Sequence, residues 1–347
     1  MEPLPDNSDR NWAEPGIYEV APGVYRIPLP LPDDALRAVN VYAITDGTTL
    51  TLVDSGWALA ESRKLLTSAL RGIGAELADI TEFLVTHVHR DHYTQAVALR
   101  REFGMKVALG QGEEPSLKAS ANPERLPMAP QVHLLRRCGA DEVVEALARL
   151  FGTDPRHHEA NLWEVPDEWL LPGHRTVMPG REFEIVCTPG HTAGHVVFVD
   201  EVGGLLFSGD HVLPHITPSI GFQPVPAELP LNDYIDSLRL IRDMPDQRLL
   251  PAHGPVTDSV HARVDELLEH HRQRLETMGQ EAMAGASTAF EIASNRGWTR
   301  RSRKLSEMDA FNQMLAVLET GAHLDLLVSQ GRLAARDVDG VRRYSAP

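Results

Sequence analysis

The sequence predicts an α/β fold of sheets covered by helices, and three observations carry that expectation. Short β-prone runs and stretches of helical period follow one another in β-α-β-α-β order between residues 50 and 109. An antiparallel meander precedes them. Several apolar runs also end on a histidine or an aspartate, at strand termini where layered α/β folds gather their sites.

Residues 17–53 supply the meander: Val24-Tyr25-Arg26-Ile27, then Val39 to Thr45, the turn Asp46-Gly47, and Leu50-Thr51-Leu52-Val53. The last run ends on Asp54-Ser55-Gly56. From Ala58 to Ile73, Leu59, Leu65, Leu66, Ala69 and Leu70 recur at helical spacing and Gly72 and Gly74 close the helix. The β-favouring run Thr81 to Val85 then delivers Thr86-His87-Val88-His89-Arg90-Asp91-His92. A helix over 94–103 and a strand over 105–109 follow.

Residues 111–170 are interrupted by Pro115, Pro123, Pro127, Pro130, Pro155 and Pro166 around one amphipathic stretch, Asp141 to Phe151, and read as an insertion lying over the site. Within it, His157-His158 are adjacent loop residues that point apart, without a third ligand nearby. A strand over 183–188 leads into Pro189-Gly190-His191-Thr192-Ala193-Gly194-His195 and a second strand, Val196 to Val199. Pro172-Gly173-His174 copies the same tripeptide but reads as a plain turn. Cys187 reads as a small core residue.

Leu205 to Ser208 brings the chain to Gly209-Asp210-His211, and a helix over 231–244 and the run Arg248-Leu249-Leu250 lead to Pro251-Ala252-His253-Gly254-Pro255. His211 and His215 read as loop residues near the site. Beyond Val256 the character changes to a long charged helix, Ser259 to Met283, capped by Asp258 or Ser259. Helical runs at 289–295 and 308–330 and a hairpin around Asp339-Gly340 complete a small unit of winged-helix character.

Composition narrows the function. The apolar fraction is 42% and the charged fraction 24%, with no run long enough to span a bilayer. The acidic start, Met1 to Arg10, lacks the features of a secretory signal, which gives a cytoplasmic expectation. Cys138 and Cys187 build neither a disulfide framework nor a thiolate cluster. The net charge is -16, and 11 basic against 9 acidic residues in 270–347 leave -18 on residues 1–269. A polyanionic partner would approach against that field.

The chemistry lies in the strand-end residues. Imidazole and carboxylate are the ligands that divalent first-row metals take, and three histidines and an aspartate within six residues of a strand end can aim several donors at one point. His191, Asp210 and His253 each occur in a similar context. Asp54 is placed to hydrogen-bond a ligand imidazole, as metal-bound histidines require.

In this order, the HxHxDH run, Gly-His-Thr-Ala-Gly-His, Ser-Gly-Asp and Ala-His-Gly-Pro resemble the metallo-β-lactamase-fold hydrolases over about residues 17–258. The resemblance implies a four-layer αββα sandwich for residues 1–258 and a C-terminal winged-helix-like unit for 259–347. It implies one metal held by His87, His89 and His191, a second by Asp91, His92 and His253, and Asp210 bridging. Two divalent ions, zinc first with iron or manganese open, would share a hydroxide as nucleophile, and Asp91 would orient it and relay its proton.

The absence of cysteine at the bridging position argues against antibiotic hydrolysis, and the second histidine of HxHxDH against the diiron oxygen reductases. The whole chain most resembles the β-lactamase-like-2 group. Esters, thioesters or lactones of small molecules are the expected substrates. The alternatives are single-stranded RNA cleavage, served by the basic run Arg300-Arg301-Ser302-Arg303-Lys304, and a metal-binding protein whose tail docks a partner. No membrane partner is expected, and the oligomeric state is not readable.

Overall fold

The computed structural model of the chain describes residues 2–6, 11–32, 35–122, 124, 128–151, 160–285, 287–298 and 303–347. The first sheet contains β1 (Leu4–Pro5), β2 (Tyr18–Ala21), β3 (Val24–Pro30), β4 (Ala38–Thr45), β5 (Leu50–Val53), β6 (Glu82–Val85), β7 (Lys106–Gly110) and β8 (Glu168–Leu170), side by side in that order. Strands β2 to β5 form the antiparallel meander, and β5 to β8 run parallel because helices connect them. The connecting helices are α1 (Ala60–Gly72), α2 (Arg90–Phe103), and α3 (Glu114–Ala121), α4 (Ala129–Arg137) and α5 (Asp141–Phe151) in the long crossover.

The second sheet has the order β13-β12-β11-β10-β9, formed by β9 (Gly173–Met178), β10 (Arg181–Cys187), β11 (Val196–Asp200), β12 (Leu205–Gly209) and β13 (Arg248–Pro251). Helix α6 (Pro230–Asp243) carries the chain from β12 to its parallel neighbour β13. Then come α7 (Val260–Met283), α8 (Ala289–Asn295), the short pair β14 (Gly297–Trp298) and β15 (Arg303–Lys304), α9 (Ala310–Ser329), and the hairpin β16 (Ala334–Val338) and β17 (Val341–Ser345). Ser259 caps α7 by accepting from the Ala262 N–H.

Three apolar layers hold these elements in a four-layer αββα sandwich. Tyr42, Leu84 and Ala108 of the first sheet meet Phe183, Phe198, Phe207 and Leu250 of the second. On the far side of the first sheet, Leu52, Phe83 and Val107 are covered by Leu66 and Leu70 of α1 and Tyr93 and Val97 of α2. On the far side of the second, Val197, Leu206 and Leu249 meet Leu238 of α6, Val264 of α7 and Val317 of α9. Strand β12 shows the period of two, with Leu205 and Phe207 facing one layer and Leu206 the other.

Several local expectations change. Helix α2 begins at Arg90, not Thr94, so Asp91 and His92 lie in its first turn; a carboxylate there interacts favourably with the helix N-terminus. Cys187 is exposed rather than a core residue, because it ends β10 one step beyond buried Val186. Helices of the 111–170 segment share the outer core with the C-terminal ones, since Leu135, Val143 and Leu147 join Met314 and Leu324. His157, His158 and Arg300 to Ser302 lie outside the described residues. Among those described, no helix is long and apolar enough to cross a membrane.

The C-terminal helices bury a histidine pair. His271 Nδ1 of α7 lies 3.1 Å from His323 Nε2 of α9, and His323 Nδ1 is 2.7 Å from the Glu319 carbonyl. Burial holds His323 down to about 3, with Arg274, His270 and Arg296 adding repulsion against the opposing Glu319 carbonyl. Burial, His323, His270 and Arg274 hold His271 well below the ordinary value. Both are therefore neutral in the fold but take up protons when unfolded below pH ~6.5.

The unfolded chain then binds more protons, so stability falls as pH drops from about 6.5 towards 3, by up to about 1.4 kcal/mol per pH unit for one fully buried histidine. Replacing both histidines with leucine removes donor and acceptor together. Urea midpoints at pH 7.5 and 5.0 are expected to differ less in the His271→Leu/His323→Leu variant than in the parent. An equal loss in both proteins would discount the pair.

Candidate metal centre

All seven strand-end residues converge where the loops after β6, β12 and β13 meet the loop between β10 and β11. Two donor groups form: His87, His89, His191 and Asp210; and Asp91, His92 and His253. In the first, His89 Nδ1 lies 2.9 Å from His87 Nε2 and 3.1 Å from His191 Nε2. In the second, Asp91 Oδ2 lies 3.6 Å from His92 Nε2 and 3.4 Å from His253 Nε2.

Asp210 faces both groups, with a different oxygen towards each. Its Oδ2 is 3.4 Å from His191 Nε2 and 3.9 Å from His87 Nε2. Its Oδ1 is 3.3 Å from His253 Nε2 and 3.7 Å from His92 Nε2. The preceding Gly209 has φ +50, and a Cβ there would lie 2.6 Å from Thr86 Oγ1, so neither the turn nor the space favours a side chain.

Each imidazole is held through its outer nitrogen. His87 Nδ1 lies 3.1 Å from Thr86 Oγ1, and His89 Nε2 3.3 Å from the Phe222 carbonyl. His191 Nδ1 lies 2.8 Å from the Ser219 carbonyl, and His253 Nδ1 2.7 Å from that of Ala38. His92 Nδ1 is 2.9 Å from Asp54 Oδ2, while Asp54 Oδ1 accepts from the Thr86 N–H at 2.8 Å. Asp54 does so from a left-handed backbone with φ +59. N–H donation outward turns the opposite ring lone pair inward.

The inward atoms fit divalent cations. His92 Nε2, His253 Nε2 and Asp210 Oδ1 are buried without a hydrogen-bond partner, a costly state unless another species satisfies them. Burial lowers His87, with His92, His89 and His191 adding repulsion, and likewise takes His89 down to about 3. Burial opposes the charge on His92 too, but Asp54, Asp91 and Asp210 prevail and raise it to about 10. The donors thus combine neutral imidazoles with a demand for positive charge.

Other sequence candidates lie apart. His174 is exposed on β9, 3.9 Å from Glu182. His211 is buried, its ring centroid 6.1 Å from that of His195, and His215 is exposed; neither belongs to a donor group. His195, only four residues after His191, places Nδ1 2.8 Å from Thr188 Oγ1 and accepts the Asp210 N–H at its Nε2. Sequence reasoning also passed over Thr86 and Glu113. Thr86 stands next to His87, but motif spacing does not reveal which neighbour turns inward, and Glu113 has no motif residue beside it to mark it.

The metallo-beta-lactamase superfamily profile matches residues 34–253. The beta-lactamase-like protein 2 homolog of Caenorhabditis elegans is 28% identical over 240 residues, covering 69% of this chain and 63% of that protein, less than two thirds of its length. An atrochrysone carboxyl ACP thioesterase of Aspergillus fumigatus is 24% identical over 253 residues, 72% of this chain and 46% of that one. The structure of a beta-lactamase domain protein from Burkholderia ambifaria superposes with a TM-score of 0.80 at 27% identity, covering 98% of this chain and 97% of that one. With the matched region spanning both donor groups, this chain belongs to the metallo-beta-lactamase superfamily.

Proposed function

We propose that the chain is a dinuclear hydrolase of small-molecule esters, thioesters or lactones. The observation that carries the reading is the division of Asp210, Oδ2 towards one donor group and Oδ1 towards the other. His87, His89 and His191 would hold one ion, Asp91, His92 and His253 the other, and Asp210 both. The His and Asp donor set favours zinc, with iron or manganese as alternatives. Bound there, two divalent cations supply an activated water near neutral pH and polarise the scissile carbonyl.

Asp91 is the catalytic residue of the chain itself: it orients the attacking water and carries its proton to the leaving group. Its side chain is 15% exposed, whereas those of His92 and His253 are almost wholly buried, which suits a group that meets both water and substrate. Substrate walls come from the loop 216–222, whose Ser219 and Phe222 carbonyls also hold His191 and His89. Phe311 of α9 approaches Phe222, with ring centroids 5.4 Å apart, so the C-terminal segment reaches the wall.

Under the same reading, residues 1–258 are the catalytic unit and 259–347 a winged-helix-like one that buttresses it. The thioesterase relative supports an acyl substrate, and the negative charge of residues 1–269 opposes RNA. The test is metal content together with turnover of acyl thioesters, esters, lactones and single-stranded RNA in added zinc. Two metals per chain and acyl hydrolysis are expected. Turnover of RNA alone would sink the substrate assignment; fewer than two metals per chain would sink the dinuclear reading.

A further inference from the structure

Glu113 ends the turn after β7, outside both donor groups, and is fully buried. Its Oε1 accepts from two loops. One donor is the Val88 N–H at 3.4 Å, and Val88 stands between His87 and His89. The other is the Thr192 hydroxyl, immediately after His191. Three histidines of one donor group are thus carried on two loops tied to the same oxygen.

The approach is made backbone to backbone. A Cβ on Gly194 would lie 2.1 Å from the Glu113 nitrogen, and one on Gly112 would lie 2.7 Å from the Ala193 carbonyl oxygen. Neither position has room for a side chain, so the turn 111–113 lies directly on the loop that bears His191. On the other side of that loop, Gln223 Oε1 accepts the Ala193 N–H at 3.0 Å, and the Gln223 carbonyl accepts from Gln131 of α4. Glu113 Oε2 has no hydrogen-bond partner, and burial raises the carboxyl to about 7 against the opposing bonds from Thr192 and Val88. An apolar side chain would fill this space without that penalty, whereas an acceptor common to two loops requires an oxygen here.

We propose that Glu113 is a positioning residue that sets His87 and His89 against His191 through Val88 and Thr192, and so tunes cation affinity at that donor group alone. The inference rests on the reading of the two groups as metal sites. Its test is titration of chelator-stripped protein with cobalt(II), followed by visible absorption and calorimetry. The parent should bind in two steps, and His253→Ala identifies the second group by removing its step.

Glu113→Ala is expected to weaken the step of the His87, His89 and His191 group by about 10- to 100-fold and to leave the other unchanged. Glu113→Gln, which keeps a carbonyl acceptor for Thr192 and Val88, should restore it towards the parent value. Thr192→Val removes one of the two bonds with little change of shape, and should weaken the same step even if Glu113→Ala does not fold. Parent-like binding in both steps by these variants, or equal weakening of both, would overturn the proposal while leaving the two-metal reading intact. A parent that takes up no cobalt would overturn both.

Discussion

Stripping the protein with a chelator is expected to abolish hydrolysis and lower its melting temperature, and returning zinc should restore both. The structural reason is the imbalance of the donor cluster. His92 Nε2, His253 Nε2 and Asp210 Oδ1 are buried without hydrogen-bond partners, and three carboxylates draw positive charge to His92. A cation satisfies these atoms only in the fold, because the unfolded chain scatters residues 87 to 253. Binding therefore stabilises by mass action, by about 4 kcal/mol for one site at a free concentration 1,000 times its dissociation constant. The measurement is thermal unfolding of the stripped protein against zinc concentration. A melting temperature indifferent to zinc would contradict the assignment of these residues as ligands.

Much of this centre was legible because each of the seven residues follows a short apolar run, and a strand end fixes where such a residue emerges. The outer supports were far less legible. Ala38, Ser219 and Phe222 hold histidines through backbone carbonyls, which any residue supplies, so their side chains carry no mark of the role. Glu113 stands beside Glu114 in a segment that resembles a solvated charged turn, and only the close approach of Gly112 to Ala193 and Gly194 places it inside. His191 and His195 share a residue type four positions apart; the backbone turn between them directs one to the donor group and the other to Thr188. The meander, α1, α5 to α9 and the final hairpin followed from periodicity and turn residues, whereas α3 and α4 did not, because Pro115 and Pro130, which read as breaks, stand in their first turns where proline is tolerated. The start of α2 did not, because the ligand spacing masked its first turn.

Asp91→Asn is expected to lower kcat by about 100- to 10,000-fold, the range that a positioned acid or base contributes. Asparagine preserves shape and can still place an oxygen near His92 and His253, but it neither carries negative charge nor takes a proton. Two roles are therefore removed in unequal measure, cation holding and proton transfer, and the leaving group separates them. Aryl esters of acidic phenols depart without a proton, whereas alkyl esters need one. The loss should accordingly grow as the leaving group becomes more basic, provided assays contain enough zinc to fill both groups. The quantity to measure is the slope of log kcat against leaving-group pKa in the two proteins. If the variant loses the same factor across the series, Asp91 serves only to hold a cation, and the proton must travel by another group. A steeper slope in the variant would locate proton delivery on Asp91, whose side chain is 15% exposed against 9% for Asp210, the other carboxylate of the donor cluster.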